Sequence, residues 1–444
     1  MSRLIRQGLF AAAGALALSA SAGAQMLGVG ALPPVNLPVP TANLPVAGPV
    51  LHNLLSQPGA QQAIAPTLDT VGGVTETIAN SGAPNLLELR RLRLEELIRS
   101  NRATVENDGN GQPVRRGIVV VLNPSAAGLQ GALSAGFRIA ADRPDPALGL
   151  RMVSLAVPNG MSAKSGLKLL HRVAPMLEAD FDHLYEPAGG ALGSMSGAVA
   201  AFKGSVDGRA IGMIDGGVAS HPSLAGKSIE QNGFAGSPQP TGHGTAVASL
   251  LVGSQGPFRG AAMGARLFVA DVYGGNRAAG SATAIVNALG WLSSHHPALI
   301  NISLVGPANK LVQRAILVVQ SRGIEVVAAV GNDGPAAPPQ YPASYPGVIA
   351  VTAVDAGGRA LPEAGRAAHL DFAAPGADMV AAAPGNGYTR VRGTSFAAPL
   401  AAARLLATGS PGALAAEARP GRGRVGRGIV CSACRIDPRT VGLR

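Results

Sequence analysis

Aromatic residues are scarce in this 444-residue chain, at 3%, and charged residues reach only 14%. With 47% hydrophobic residues the chain is too apolar for wholesale disorder and long enough to bury one full domain with room for a second. Cysteine is confined to Cys431 and Cys434. Two thiols do not make a zinc site without two further ligands, and none stands nearby at the right spacing. Redox chemistry at the pair stays open, although no thioredoxin-like context accompanies it. Past residue 24 no apolar run is long enough to span a bilayer, so no transmembrane segment is expected beyond an export signal. The formal net charge is +11, and Arg419, Arg422, Arg424, Arg427 and Arg435 crowd the C-terminus. Gly and Pro rather than aromatics interleave with them, and no nucleic-acid motif accompanies them. Nucleic acid is therefore not an expected partner, and residues 411–444 read as a solvated or surface-adhering basic tail.

What is present begins with a signal for export. Arg3 and Arg6 precede a short apolar run, Leu9 to Leu18, and Ala22-Gly23-Ala24 forms an A-x-A cleavage site before Gln25. Residues 1–24 read as a signal peptide and the mature protein as secreted or periplasmic. In that setting Cys431 and Cys434 are expected to be oxidised to a disulfide, although so small a loop stabilises little.

Three blocks carry chemistry. Gly212-Met213-Ile214-Asp215-Gly216-Gly217 ends a short apolar strand in an aspartate. Thr241-Gly242-His243-Gly244-Thr245 heads an apolar helix, and Arg392-Gly393-Thr394-Ser395-Phe396-Ala397-Ala398-Pro399 sets a serine at a helix start. A serine hydroxyl is a poor nucleophile until an imidazole takes its proton, and the imidazole needs a carboxylate to hold its tautomer. Ser395, His243 and Asp215 supply these roles in the chain order Asp, His, Ser. A fourth block, Val326 to Pro335, reads as a strand breaking into a Gly/Asn/Pro loop, where the Asn332 amide can donate to the oxyanion of a tetrahedral intermediate.

These ordered motifs resemble the subtilisin-like serine proteases, the subtilases. The resemblance runs from about Ile211 to Leu406 and includes Asn301-Ile302-Ser303-Leu304-Val305-Gly306-Pro307, similar to the segment lining the family's substrate cleft. It implies a triad of Asp215, His243 and Ser395, an oxyanion donor in Asn332, and a cleft strand at Ser303, Leu304, Val305 and Gly306. It also implies an endopeptidase that forms an acyl-enzyme on polypeptide substrates bound as extended strands. Two departures bear on this. Gly216 stands where the family usually has Ser or Thr, which leaves the aspartate short of one hydroxyl. That gap supports a competing reading, a catalytically inactive homologue that binds peptides in the same groove. Val305 replaces a usual glycine and is expected to narrow the subsite it lines. Residues Gly253 to Gly264 hold no acidic residue, so no calcium loop, metal or other cofactor is expected.

The fold class expected is α/β, a subtilisin-like, largely parallel sheet with helices on both faces, preceded by a small α+β propeptide-like module. Strand-like runs at 210–214, 267–272, 299–304, 325–330 and 348–354 alternate with helical stretches at 244–252, 281–294 and 310–321. Upstream, residues 25–84 are a Pro/Ala-rich flexible leader. Asn85 and Glu88 stand at capping-box spacing before an amphipathic helix. Residues 85–186 join that helix to an α+β module, with strands at 117–122 and 150–157 and helices at 124–135 and 162–176. By position this module is similar to an inhibitory propeptide, a partner for the catalytic domain at 205–410. Residues 187–204 are the Gly/Ala/Ser-rich linker where cleavage is expected.

Overall fold

The computed structural model describes residues 84–192 and 206–443. The expected signal peptide, nearly all of the leader and residues 193–204 of the expected linker lie outside the described residues.

The N-terminal module opens with helix α1 (Pro84–Ser100), followed by β1 (Val105–Asn107), β2 (Pro113–Leu122), α2 (Ala126–Ser134), β3 (Arg138–Asp145), β4 (Leu150–Ala156), α3 (Ala163–Val173) and β5 (Glu178–His183). All pairings are antiparallel. Strand β2 lies at the centre, with β1 and β4 along one side and β5 on the other, while β3 extends the sheet beyond β4. Hydrophobic periodicity reveals β2 and β4 but not β3, which is largely exposed, nor β5, whose Glu-Ala-Asp-Phe-Asp-His lacks an apolar alternation. In α1 the Glu88 carboxylate takes Arg91 rather than serving as the expected cap partner.

Because side chains of a strand point alternately to opposite faces, β2 serves two cores at once. Val119 and Val121 pack with Leu170 of α3 and Ala132 of α2, whereas Val120 and Leu122 belong to an apolar cluster with helices of the following domain.

That domain contains β8 (Ala210–Asp215), β9 (Ile229–Gly233), α4 (Gly242–Val252), β10 (Arg266–Asp271), α5 (Ala282–Ser294), β11 (Leu299–Ile302), β12 (Leu304–Val305), α6 (Lys310–Ser321), β13 (Glu325–Ala329), β14 (Ile349–Val354), β15 (Phe372–Pro375), β16 (Met379–Ala382), β17 (Tyr388–Arg392), α7 (Thr394–Thr408) and α8 (Pro411–Ala416). Seven strands form one sheet in the order β15-β14-β13-β11-β8-β10-β9, every pair parallel. Ile211 and Met213 of β8 face the cluster holding α4 and α7; Ala210 and Ile214 face the cluster holding α5 and α6. The expected α/β layering is thus present, with helices on both faces. In α6 the residues Leu311, Val312, Ala315, Ile316 and Val319 form the buried stripe that their spacing predicts. Edge strands β9 and β15 escape the sequence reading, β9 because its Ile-Glu-Gln-Asn-Gly is mostly exposed and β15 because four residues show no period.

The C-terminal segment corrects the expectation of a solvated tail. Val430, Cys434 and Ile436 are buried in the main core, Val430 N donates to Ala373 O, and Val380 N donates to Ile436 O. Apolar residues between the arginines provide the burial that a count of charges overlooks. Cys431 and Cys434 are joined as a disulfide.

The module sits on α5 and α6 through two aspartates of β5. Asp182 Oδ1 accepts from Thr283 N at 2.9 Å and Asp180 Oδ2 accepts from Lys310 N at 2.9 Å, so each carboxylate meets the positive end of a helix. Ser281 and Asn309 cap the same helices from within. Burial raises the Asp182 carboxyl above its ordinary 3.8, against the hydrogen bonds from Thr283 and the charge of Arg115. A raised value means that the folded chain holds this proton more tightly than the unfolded chain does. The stabilisation is therefore full below the ordinary value and is lost as pH rises through the raised one. In urea unfolding at a series of pH values, Asp182→Ala is expected to cost about 0.5–2 kcal/mol through the lost cap. Asp182→Asn, which keeps the acceptor, is expected to flatten this group's loss of stability with rising pH.

Candidate active site

Asp215 ends β8 at the carboxyl edge of the sheet, where open α/β folds gather their ligands. Its carboxylate is buried and lies 2.9 Å from His243 Nδ1 through both oxygens. That contact assigns the ring proton to Nδ1 and leaves Nε2 free to accept one. His243 occupies the first turn of α4, whose N-cap Thr241 accepts from Gly244 N at 2.9 Å. The place expected to lack a hydroxyl is filled from elsewhere. A Cβ on Gly216 would collide with the Thr241 side chain, and Gly216 N itself donates to Asp215 Oδ1 at 2.7 Å. Gly216 is thus a packing requirement, and the carboxylate is oriented by backbone.

Ser395 is the second residue of α7 and fully buried. The chain reaches it through Gly393 at φ 136°, a conformation that side-chain-bearing residues rarely adopt. Among the described residues, His243 Nε2 and Ser395 Oγ are both buried without a hydrogen-bond partner. The direct Ser–His link expected from the motifs is therefore not formed in this state. These are the two atoms that the expected triad would link, and such contacts commonly tighten only in the reacting complex. The His243 ring packs against Phe396, the neighbour of Ser395, at 5.3 Å between centroids.

Asn332 follows β13. Thr394 N donates to its Oδ1 at 3.0 Å, which fixes the amide orientation and leaves Nδ2 to donate to Ala188 O. Thr394 Oγ1 also accepts from Gly331 N at 3.1 Å. Thr394 thereby ties the Asn332 loop to the head of α7. Sequence reading overlooked that role, although the residue sits inside the Gly393-Thr394-Ser395 motif. Ser303 plays a similar part, since its Oγ donates to Ser395 O at 2.9 Å and accepts from Asn301 Nδ2 at 3.0 Å.

The cleft is filled by the chain itself. The last residue of the expected module and the first residues of the expected linker are paired, as β6 (Glu186–Pro187) and β7 (Gly190–Leu192). Strand β6 runs antiparallel to β12, with Leu304 opposite Pro187 and Val305 opposite Glu186, and Ala188 N donates to Ser303 O at 3.0 Å. On its other side Tyr185 N donates to Gly280 O at 2.8 Å. Tyr185 is wholly buried, and its hydroxyl donates to Pro307 O at 3.0 Å. A Cβ on Gly306 would strike the Tyr185 ring, so the expected cleft residue Gly306 leaves room for it. Val305 is buried, its Cγ1 3.4 Å from where a Cβ on Gly331 would stand. Beyond the site β7 pairs with β17.

Between these strands lies the reactive geometry. Ala188 O accepts from Ser395 N at 3.2 Å and from Asn332 Nδ2. Gly189 packs so closely that a Cβ there would collide with Ser395 Oγ. Unpaired N–H groups at a helix start favour an oxygen that gains negative charge. The arrangement can therefore hold one peptide bond, Ala188–Gly189, with its oxygen in a two-donor pocket and its nitrogen side against the hydroxyl.

Comparison with known proteins places the chain in a family. The model of the subtilase family matches residues 207–409. Subtilisin Savinase of Lederbergia lenta is 32% identical over 194 residues, 43% of this chain and 71% of that protein. Subtilisin DY of Bacillus licheniformis is 33% identical over 220 residues, 47% of this chain and 80% of that protein. Among solved structures, fervidolysin from Fervidobacterium pennivorans, a keratinolytic enzyme related to subtilisin, matches in fold. Its TM-score is 0.62 at 19% identity, covering 74% of this chain and 62% of that one. The chain belongs to the subtilase family of serine endopeptidases.

Proposed function

We propose that this subtilase is an exported endopeptidase acting through Asp215, His243 and Ser395, and that its first substrate is its own Ala188–Gly189 bond. The observation that carries the reading is the Ala188 carbonyl, which accepts hydrogen bonds from both Ser395 N and Asn332 Nδ2. His243 Nε2 takes the Ser395 proton as Oγ attacks the Ala188 carbonyl carbon, while Asp215 stabilises the imidazolium. The oxyanion rests on the Ser395 N–H and the Asn332 amide. When the tetrahedral intermediate collapses, the C–N bond breaks and His243 delivers the proton to the Gly189 amine. Water, deprotonated in turn by His243, then hydrolyses the ester at Ser395.

In this reading residues 85–186 act as a propeptide that first presents the bond and then occupies the cleft. External substrates bind in the same extended pairing with β12, so unfolded or loop segments of polypeptides are the targets. The signal at residues 1–24 directs the protein to the periplasm or the medium. No helix among the described residues is long and apolar enough to cross a membrane. The competing reading, an inactive peptide-binding homologue, rests on Gly216, and the Thr241 side chain against it gives that residue a packing reason that does not require inactivity.

Intact mass spectrometry is expected to find wild type cut between Ala188 and Gly189 and Ser395→Ala uncut. A fluorophosphonate probe is expected to label the former at Ser395 and not the latter. An uncut, unlabelled wild type would end the peptidase reading. Asn332→Ala is expected to slow single-turnover processing about 10²–10³-fold, corresponding to about 2.7–4 kcal/mol for one oxyanion donor, a range taken from mutagenesis of subtilisin itself.

A further inference from the structure

Asp333 follows Asn332 and is 6% exposed. Among the described residues its carboxylate is held by two arginines of α1, Arg90 Nε on Oδ2 at 3.0 Å and Arg93 Nη2 on Oδ1 at 2.9 Å. Both guanidiniums come from outside the catalytic domain. Leu86 and Leu94 of the same helix are buried, Leu86 against Gly334, and so seat the arginines over the loop. Arg93 also donates through Nε to Glu186 Oε2 at 3.1 Å. Burial works against the Arg93 charge, and the charges of Glu186 and Asp333 outweigh it, holding the guanidinium above its ordinary pKa.

Glu186 is the third residue before the Ala188–Gly189 bond. One guanidinium therefore spans the side chain at that position and the carboxylate of Asp333. Without Arg93 the two acids would face each other across a short gap, which is unfavourable in a partly desolvated cleft. The glutamate is tolerated here because the cation arrives from α1. A substrate bound after the module has left brings no such helix, and Asp333 then stands without its counter-ions.

Resting on the proposed reading of Ala188–Gly189 as the bound peptide bond, we infer that Asp333 is a cation-selecting subsite of the cleft. It is occupied by Arg90 and Arg93 in the uncut chain and opens to Arg or Lys three residues before the cut bond of an external substrate. An arginine at that position is longer than glutamate and ends in the fork that matches a carboxylate, so it fills the space that Arg93 now fills. The enzyme then prefers, in other polypeptides, the charge opposite to the one its own sequence carries.

The test uses the full chain after it has processed itself, and three peptides built on Leu-Tyr-X-Pro-Ala-Gly with X as Arg, Ala or Glu. At low salt kcat/KM is expected to fall in the order Arg, Ala, Glu, with about tenfold or more between the extremes, as for a charge-assisted pair. The ratio is expected to shrink in about 1 M salt, where exposed charges are screened within about 3 Å. In Asp333→Asn the Arg-to-Glu ratio is expected to approach one, and because it is taken within one enzyme, partial loss of folded protein cancels. Should that variant give no measurable turnover, the salt dependence of the wild-type ratio carries the decision. Equal cleavage of all three peptides by wild type, a salt-independent ratio, or a preference retained in Asp333→Asn overturns the subsite while leaving the peptidase reading intact. Failure to cut even the Ala peptide overturns both.

Discussion

A single peptide oxygen, that of Ala188, gathers the parts of this molecule. It accepts from the first turn of α7 and from the amide of Asn332, and neither donor is in place without other contacts. Asn332 is oriented by Thr394 N, the serine backbone is tied to the cleft by Ser303, and the chain enters α7 through Gly393. In the proposed reaction, donors fixed in advance need no reorganisation as charge develops on the oxygen.

The module and the catalytic domain also share an apolar cluster. Strand β2 is buried on both faces, one by its own helices and one by α5 and α6. Asp180 and Asp182 meet the starts of those two helices, which fixes the direction in which the chain leaves β5. Residues 184–188 then have only one course, between Gly280 and β12, and it ends at Ser395. Helix α1 adds a further charged contact, with Arg93 bridging the cleft segment and the loop that carries Asn332.

Much of the fold was legible because its signals are local. Strands buried on both faces read as continuous apolar runs, and α6 shows its stripe without help from the rest of the chain. Strands β3, β5 and β9 were not legible, since exposed or polar strands owe their state to neighbours rather than to their own pattern. Paired residues 187 and 190–192 looked like a linker for the same reason. Small residues there are what a close approach to Ser395 requires, and composition alone does not separate that from flexibility.

The sequence by itself determined the chemical groups and their order, because Asp215, His243, Asn332 and Ser395 each lie within a short motif whose glycines and apolar flanks are local facts. Only the tertiary structure decided what surrounds them. Thr241 takes the space beside Gly216, the core accepts the apolar residues of the basic C-terminus, and Asp333 meets two arginines 243 and 240 residues away. Contacts between segments so distant in sequence depend on the packed arrangement of the whole sheet and its helices, and no window of sequence encodes that arrangement.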